Sequence, residues 1–173
     1  MTCIAAIVEP GRVWMGGDSA VTIEDAVLTQ AEPKVFRCGP LIVGCCGTTP
    51  WESMWQRLEL DPPGTDLNRW VKSYLTDVLK AAIEKSVPKE DVGEVACLIG
   101  IGGTLYLAEG DGIPWRIRNN YYAIGTADAA NGSLFESEKR KGYSSPRKRI
   151  LSALKAAEHH TNCVRAPFHV IHT

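Results

Sequence analysis

Apolar residues come first in short runs bounded by turn residues, then at three- and four-residue steps, and that change of period separates strand blocks from helix pairs. Residues 3–8, Cys-Ile-Ala-Ala-Ile-Val, predict a strand. Glu9-Pro10-Gly11 predicts a turn, and residues 12–15 the returning strand of a hairpin. A second hairpin is expected from residues 34–38 and 41–46 around Gly39-Pro40. A helix over 51–60 then ends before Pro62-Pro63. The next helix carries the strongest periodicity. Thr65 or Asp66 is its N-cap, and Leu67, Trp70, Val71, Tyr74, Val78 and Ile83 fall on one apolar face. Strands return at 94–101 and 104–108 around Gly102-Gly103, and at 121–124. Helices are expected over 126–138 and 145–158, the second opening on Ser-Pro, and a strand over 164–172 closes the chain.

Strand hairpins, two helices, strand hairpins, two helices and a last strand make an alternation without long parallel crossovers. It predicts two mainly antiparallel sheets packed face to face, each covered outside by a helix pair. The expected fold class is therefore α+β, a four-layer α/β/β/α sandwich, in a single domain over residues 1–173.

Composition narrows the function classes. Apolar residues are 45% of the chain and charged residues 23%, the range of globular proteins, and the net charge is −1. That charge gives no reason to expect nucleic acid or an anionic membrane as partner. The one basic cluster, Lys139 to Lys141 and Arg147 to Arg149, reads as a solvated helix face. No stretch approaches the ~20 apolar residues of a membrane span, and Glu9 and Pro10 interrupt the first apolar run, so a cytoplasmic location is expected. There the six cysteines would be reduced. None forms a Cys-x-x-Cys pair, and they read as small buried hydrophobes. Trp51, Trp55 and Trp70 read as core.

The candidate chemistry lies at the first strands. An interior threonine hydroxyl has no base beside it, whereas a threonine with a free α-amine carries its own. The amine's pKa of about 7.7–8.0 leaves it partly neutral near neutral pH. Thr2 meets the condition once Met1 is removed, and a small second residue permits that removal. Lys34 opens a strand and is placed to tune such an amine. Asp18, in Gly16-Gly17-Asp18-Ser19, is placed to balance the lysine, because a buried unpaired cation is costly. The alternative is a turn-capping Asp18 and a solvated Lys34.

Thr2 with its hairpin, Gly-Gly-Asp18-Ser, Lys34-Val-Phe and Leu-Ile-Val-Gly44-Cys-Cys-Gly47 resemble the N-terminal nucleophile hydrolases of the proteasome β-subunit and HslV type. Asp18 and Lys34 stand sixteen and thirty-two residues after Thr2, the family's steps. The resemblance implies Thr2 as nucleophile and Gly44 as the oxyanion-holding N–H. From Tyr122-Ala123-Ile124-Gly125-Thr126, it implies that Thr126 orients the amine. Near the C-terminus Thr161 or Asn162 would replace the family's acidic and serine support. The implied activity is that of a threonine endopeptidase without metal or organic cofactor. It would act on peptides or unfolded proteins in a homo-oligomeric ring, served by an ATP-driven unfoldase. A small-molecule amidase, or a catalytically silent structural subunit, is the alternative. Cys3 as nucleophile would need a cut between Thr2 and Cys3, and the His159-His160 pair carries a weaker metal reading.

Overall fold

The computed structural model describes residues 2–23, 26–139 and 144–173. Four strands form one antiparallel sheet: β1 (Cys3–Glu9), β2 (Arg12–Gly17), β10 (Tyr121–Gly125) and β11 (His169–His172), in the order β10-β1-β2-β11. Five form a second: β5 (Val35–Cys38), β6 (Leu41–Cys46), β7 (Ala96–Ile101), β8 (Thr104–Glu109) and β9 (Trp115–Arg116), in sequential order and antiparallel throughout. A separate hairpin, β3 (Ala20–Ile23) with β4 (Ala26–Thr29), leads from the first sheet to the second.

Side chains alternate across each strand, and the alternation builds three layers of core. Cys3, Ala5 and Ile7 of β1 face helices α4 (Asp128–Glu138) and α5 (Pro146–His160), meeting Leu134, Ile150 and Leu154. Ile4 and Ala6 face the other way. With Val13, Met15, Ile42 and Leu98 they fill the space between the two sheets. Beyond the second sheet, Val43, Cys97 and Ile99 pack on Trp51 and Trp55 of α1 (Thr49–Gln56) and on Leu79 of α3 (Thr76–Ser86). The result is the four-layer α/β/β/α sandwich, with all three tryptophans expected in the core buried.

The structure departs from the periodicity in four places. The helix expected as one run from residue 66 is a composite. It starts as α2 (Leu67–Arg69), capped by the Asp66 carboxylate accepting from the Arg69 N–H at 2.9 Å. It widens into π-helical turns over Trp70–Leu75, then continues as α3. The Thr76 hydroxyl donates to the Val71 carbonyl five residues back, holding the wide turn. Helix α1 ends at Gln56 rather than residue 60. The last strand is confined to His169–His172, since Pro167 has no N–H for a ladder and the chain before it crosses to Ser19 instead. Strands β3, β4 and β9, of four, four and two residues, are short and fall outside the expected elements. Arg140 and Lys141 of the basic cluster lie outside the described residues.

Six free cysteines are described, five of them buried. Among the described residues no helix is long and apolar enough to cross a membrane.

Candidate active site

Thr2 immediately precedes β1, and Asp18 immediately follows β2. The β1–β2 register pairs Ile4 with Gly17, so the hairpin itself sets Asp18 against the first residues of the chain. The Asp18 N–H donates to the Cys3 carbonyl at 3.3 Å, and the Cys3 N–H donates to Asp18 Oδ1 at 2.9 Å. Lys34 comes from the other sheet, just before β5, where its carbonyl accepts from the Cys45 N–H at 3.2 Å. The three residues therefore meet at one end of the sandwich, across the gap between the sheets.

All three are buried: Thr2 is 8%, Asp18 0% and Lys34 4% exposed. At that burial a charge must be compensated locally. Lys34 Nζ donates to Thr2 Oγ1 at 2.9 Å, to the Asp18 carboxylate at 3.2 and 3.3 Å, and to the Ala20 carbonyl. An ammonium has three protons, so its capacity is filled. Asp18 accepts in addition from the Ala20 N–H at 2.8 Å. The hydroxyl thus sits against a fixed cation whose own counter-charge is held by two backbone amides. This arrangement favours negative charge developing on Thr2 Oγ1.

A cavity of about 400 Å³ opens on this cluster. Thr2 and Lys34 line it with Thr22 of the β3–β4 hairpin, Gly47 and Thr48 beyond β6, and Glu52 of α1.

No family model matches the chain, and no curated protein matches it in sequence. Solved structures match over its whole length. BPH of Thiobacillus denitrificans, in complex with epoxomicin, superposes with a TM-score of 0.81 at 14% identity, over 99% of this chain and 98% of that one. HslV of Trypanosoma brucei superposes with a TM-score of 0.73 at 17% identity, over 99% and 98%. Anbu, the ancestral β-subunit, of Yersinia bercovieri gives 0.68 at 18% identity, over 99% and 81%. The chain has the N-terminal nucleophile hydrolase fold. At these identities the likeness is one of fold, and the chemistry rests on this chain's own residues.

Within the N-terminal nucleophile fold the other expected residues fall as follows. Thr126 follows β10, and its N–H donates to the Thr2 carbonyl at 2.8 Å, so it holds Thr2 through the backbone. It lines a different cavity, of about 500 Å³, with Asp128, His160 and Thr161. Gly125 beside it has φ +80°, and a Cβ there would lie 2.0 Å from the Thr2 carbonyl oxygen, so the strand end admits only glycine at this approach. Gly44 lies inside β6, paired with Val35 and Leu98. A Cβ at Gly44 would lie 2.5 Å from Ile4 Cγ2 and 2.8 Å from Met15 Sδ. Gly44 therefore sets the spacing of the two sheets and is not among the residues lining the cavity. Gly47, at the end of the same run, is the glycine that lines it.

Thr161 donates to the Ala157 carbonyl of its own helix, and Asn162 accepts from the Cys163 thiol, so neither is bonded to Thr2. The C-terminal segment reaches the site by another route. Ser19, fully buried, donates through Oγ to the Pro167 carbonyl at 2.7 Å, and its N–H donates to the Arg165 carbonyl at 3.0 Å. The serine beside Asp18 was the only sequence signal of this clamp. Burial beside Asp18 pushes the Cys3 thiol up to about 12, which leaves almost no thiolate and weighs against Cys3 as nucleophile. Among the described residues no group of three or more His, Cys, Asp or Glu side chains is placed to hold a metal.

Proposed function

We propose that this chain is an amide-bond hydrolase of the threonine peptidase type, with Thr2 as nucleophile after loss of Met1. The observation that carries the reading is the 2.9 Å contact of Lys34 Nζ with Thr2 Oγ1, backed by Asp18. Thr2 Oγ1 forms a bond to the substrate carbonyl carbon while the freed Thr2 α-amine takes the hydroxyl proton. Lys34 offsets the negative charge that builds on Oγ1. The N–H of Gly47, in place of Gly44, is the donor next to the reacting carbonyl. The C–N bond then breaks, the departing amine takes the proton from the Thr2 ammonium, and water hydrolyses the ester that remains. Thr126 fixes Thr2 through its carbonyl, Asp18 fixes Lys34, and no cofactor takes part. A cytoplasmic homo-oligomeric ring, fed with peptides or with unfolded chains by an ATP-driven unfoldase, is the assembly this reading implies.

Intact mass after incubation with epoxomicin tests it, because the epoxyketone reacts with a hydroxyl and a free amine on one residue. The expected result is loss of the Met1 mass, one inhibitor added per chain, and turnover of fluorogenic peptides. Thr2→Ala should abolish the adduct and lower turnover by at least about a thousandfold. Retention of Met1 without an adduct, or undiminished turnover by Thr2→Ala, overturns the reading.

A further inference from the structure

The cavity beside Thr2 has a chemical character that the nucleophile does not require. Lys34 is the cation that lines it, and that charge is already taken by Asp18 at 3.2 Å. Glu52 lines the same space, where the described residues include no lysine or arginine besides Lys34. Burial raises its carboxyl above the ordinary range, although Lys34 and the Gln30 amide pull it back, and Glu32 nearby adds a like charge. A second, independent observation concerns hydroxyls. The side-chain oxygens of Thr22 and Thr48, both in the cavity lining, are buried and have no hydrogen-bond partner among the described residues. Native structures rarely leave such atoms unpaired, so the two hydroxyls await a partner, and the half-buried Glu52 carboxylate beside them can only accept.

A substrate carbonyl placed on Thr2 Oγ1 directs the side chain of its own residue into the adjoining space. We propose that this cavity receives the side chain on the acyl side of the scissile bond and selects arginine or lysine, with Glu52 as the specificity-determining residue. The inference rests on the reading of Thr2 as nucleophile. A guanidinium or ammonium brings donors only, matching the Glu52 carboxylate and the Thr22 and Thr48 oxygens. An acidic side chain meets Glu52 as a like charge. An apolar one covers the two hydroxyls and the carboxylate without supplying a partner. About 400 Å³ leaves room for the long basic side chains.

Equilibrium binding to the full chain tests the inference without requiring turnover. Three tripeptide acids, identical except for a last residue of Arg, Leu or Glu, serve as probes. The Arg peptide should bind about tenfold or more tighter than the Leu peptide, and the Glu peptide weakest. Glu52→Gln should bring the Arg and Leu affinities within about threefold, and Glu52→Lys should move the preference to the Glu peptide. Circular dichroism confirms that both variants fold. Equal affinities in the wild-type chain, no binding of any probe at millimolar concentration, or an Arg preference untouched in both folded variants overturns the inference. The epoxomicin adduct reports separately on Thr2, so a reactive Thr2 with no Arg preference sinks the selectivity and leaves the peptidase reading standing.

Discussion

At the scale of single residues, the site is a charge-compensation problem with one workable solution. Lys34 is as buried as a core leucine, and it remains there because Asp18, Thr2 and the Ala20 carbonyl accept hydrogen bonds from its ammonium. Removing either charged partner strands the other. Lys34→Ala leaves a buried carboxylate facing an empty space, and should cost about 3–5 kcal/mol of stability by urea denaturation, as should Asp18→Ala. A Lys34→Met, Asp18→Asn double variant should lose less than the sum of the two, since no unpaired charge remains. That variant should still form no adduct, because packing is restored while the cation beside Thr2 Oγ1 is not. Adduct formation at the wild-type rate in this double variant would show that Lys34 serves only to fill space.

Elements do the positioning, and glycines at strand ends let them approach. Gly125 closes β10 where the chain must turn with φ +80° directly over the Thr2 carbonyl. Gly125→Ala strains the backbone and places a methyl group in contact with that oxygen. The bond from the Thr126 N–H should break, and Thr2 should shift. Adduct formation should slow at least tenfold, with about 1–3 kcal/mol of stability lost, measured by mass spectrometry and thermal melting. Gly44→Ala provides the contrast. Its Cβ meets Ile4 and Met15 between the sheets, so stability should fall by a similar amount. The residual rate per folded molecule should fall less than in Gly125→Ala, since Gly44 does not line the site. The hairpin β3–β4 belongs to the same scale. It brings Thr22 to the cavity, and Ser19 just before it is clamped to Arg165 and Pro167, so the far end of the chain braces one wall of the site.

For the whole molecule, three stacked cores bury most of the thiols, and that has a consequence in alkali. Burial raises Cys3, Cys38, Cys45, Cys46 and Cys97, to about 12 for Cys3 and about 11 for Cys46, against an ordinary value of 9.0. Above pH 9 the unfolded chain releases these protons while the folded chain keeps them. The unfolded state then binds fewer protons, and stability falls as pH rises from about 9 toward the folded values. Thiolate absorbance should stay low in the native protein at pH 10 and rise near pH 9 in guanidinium. Identical titrations in the two states would mean that these thiols are open to water.

Strand and helix identity were legible because side-chain direction repeats every two or 3.6 residues, so one stretch of chain displays which face it will bury. Thus β1, β6 and α5 come out close to their expected bounds. The spacing of Thr2, Asp18 and Lys34 carried information for the same reason, since each stands at the start or end of a strand that is itself recognisable. Gly44 and Gly47 mark the limit of such reading. Both belong to one glycine–cysteine run, and their separate tasks depend on where the opposite sheet packs. Glu52, the unpaired Thr22 and Thr48 oxygens and the Ser19–Pro167 clamp leave no periodic trace, because each exists through contacts between distant segments. Local chain geometry decides which way a residue points, whereas its neighbours follow from register and from how the two sheets are pressed together.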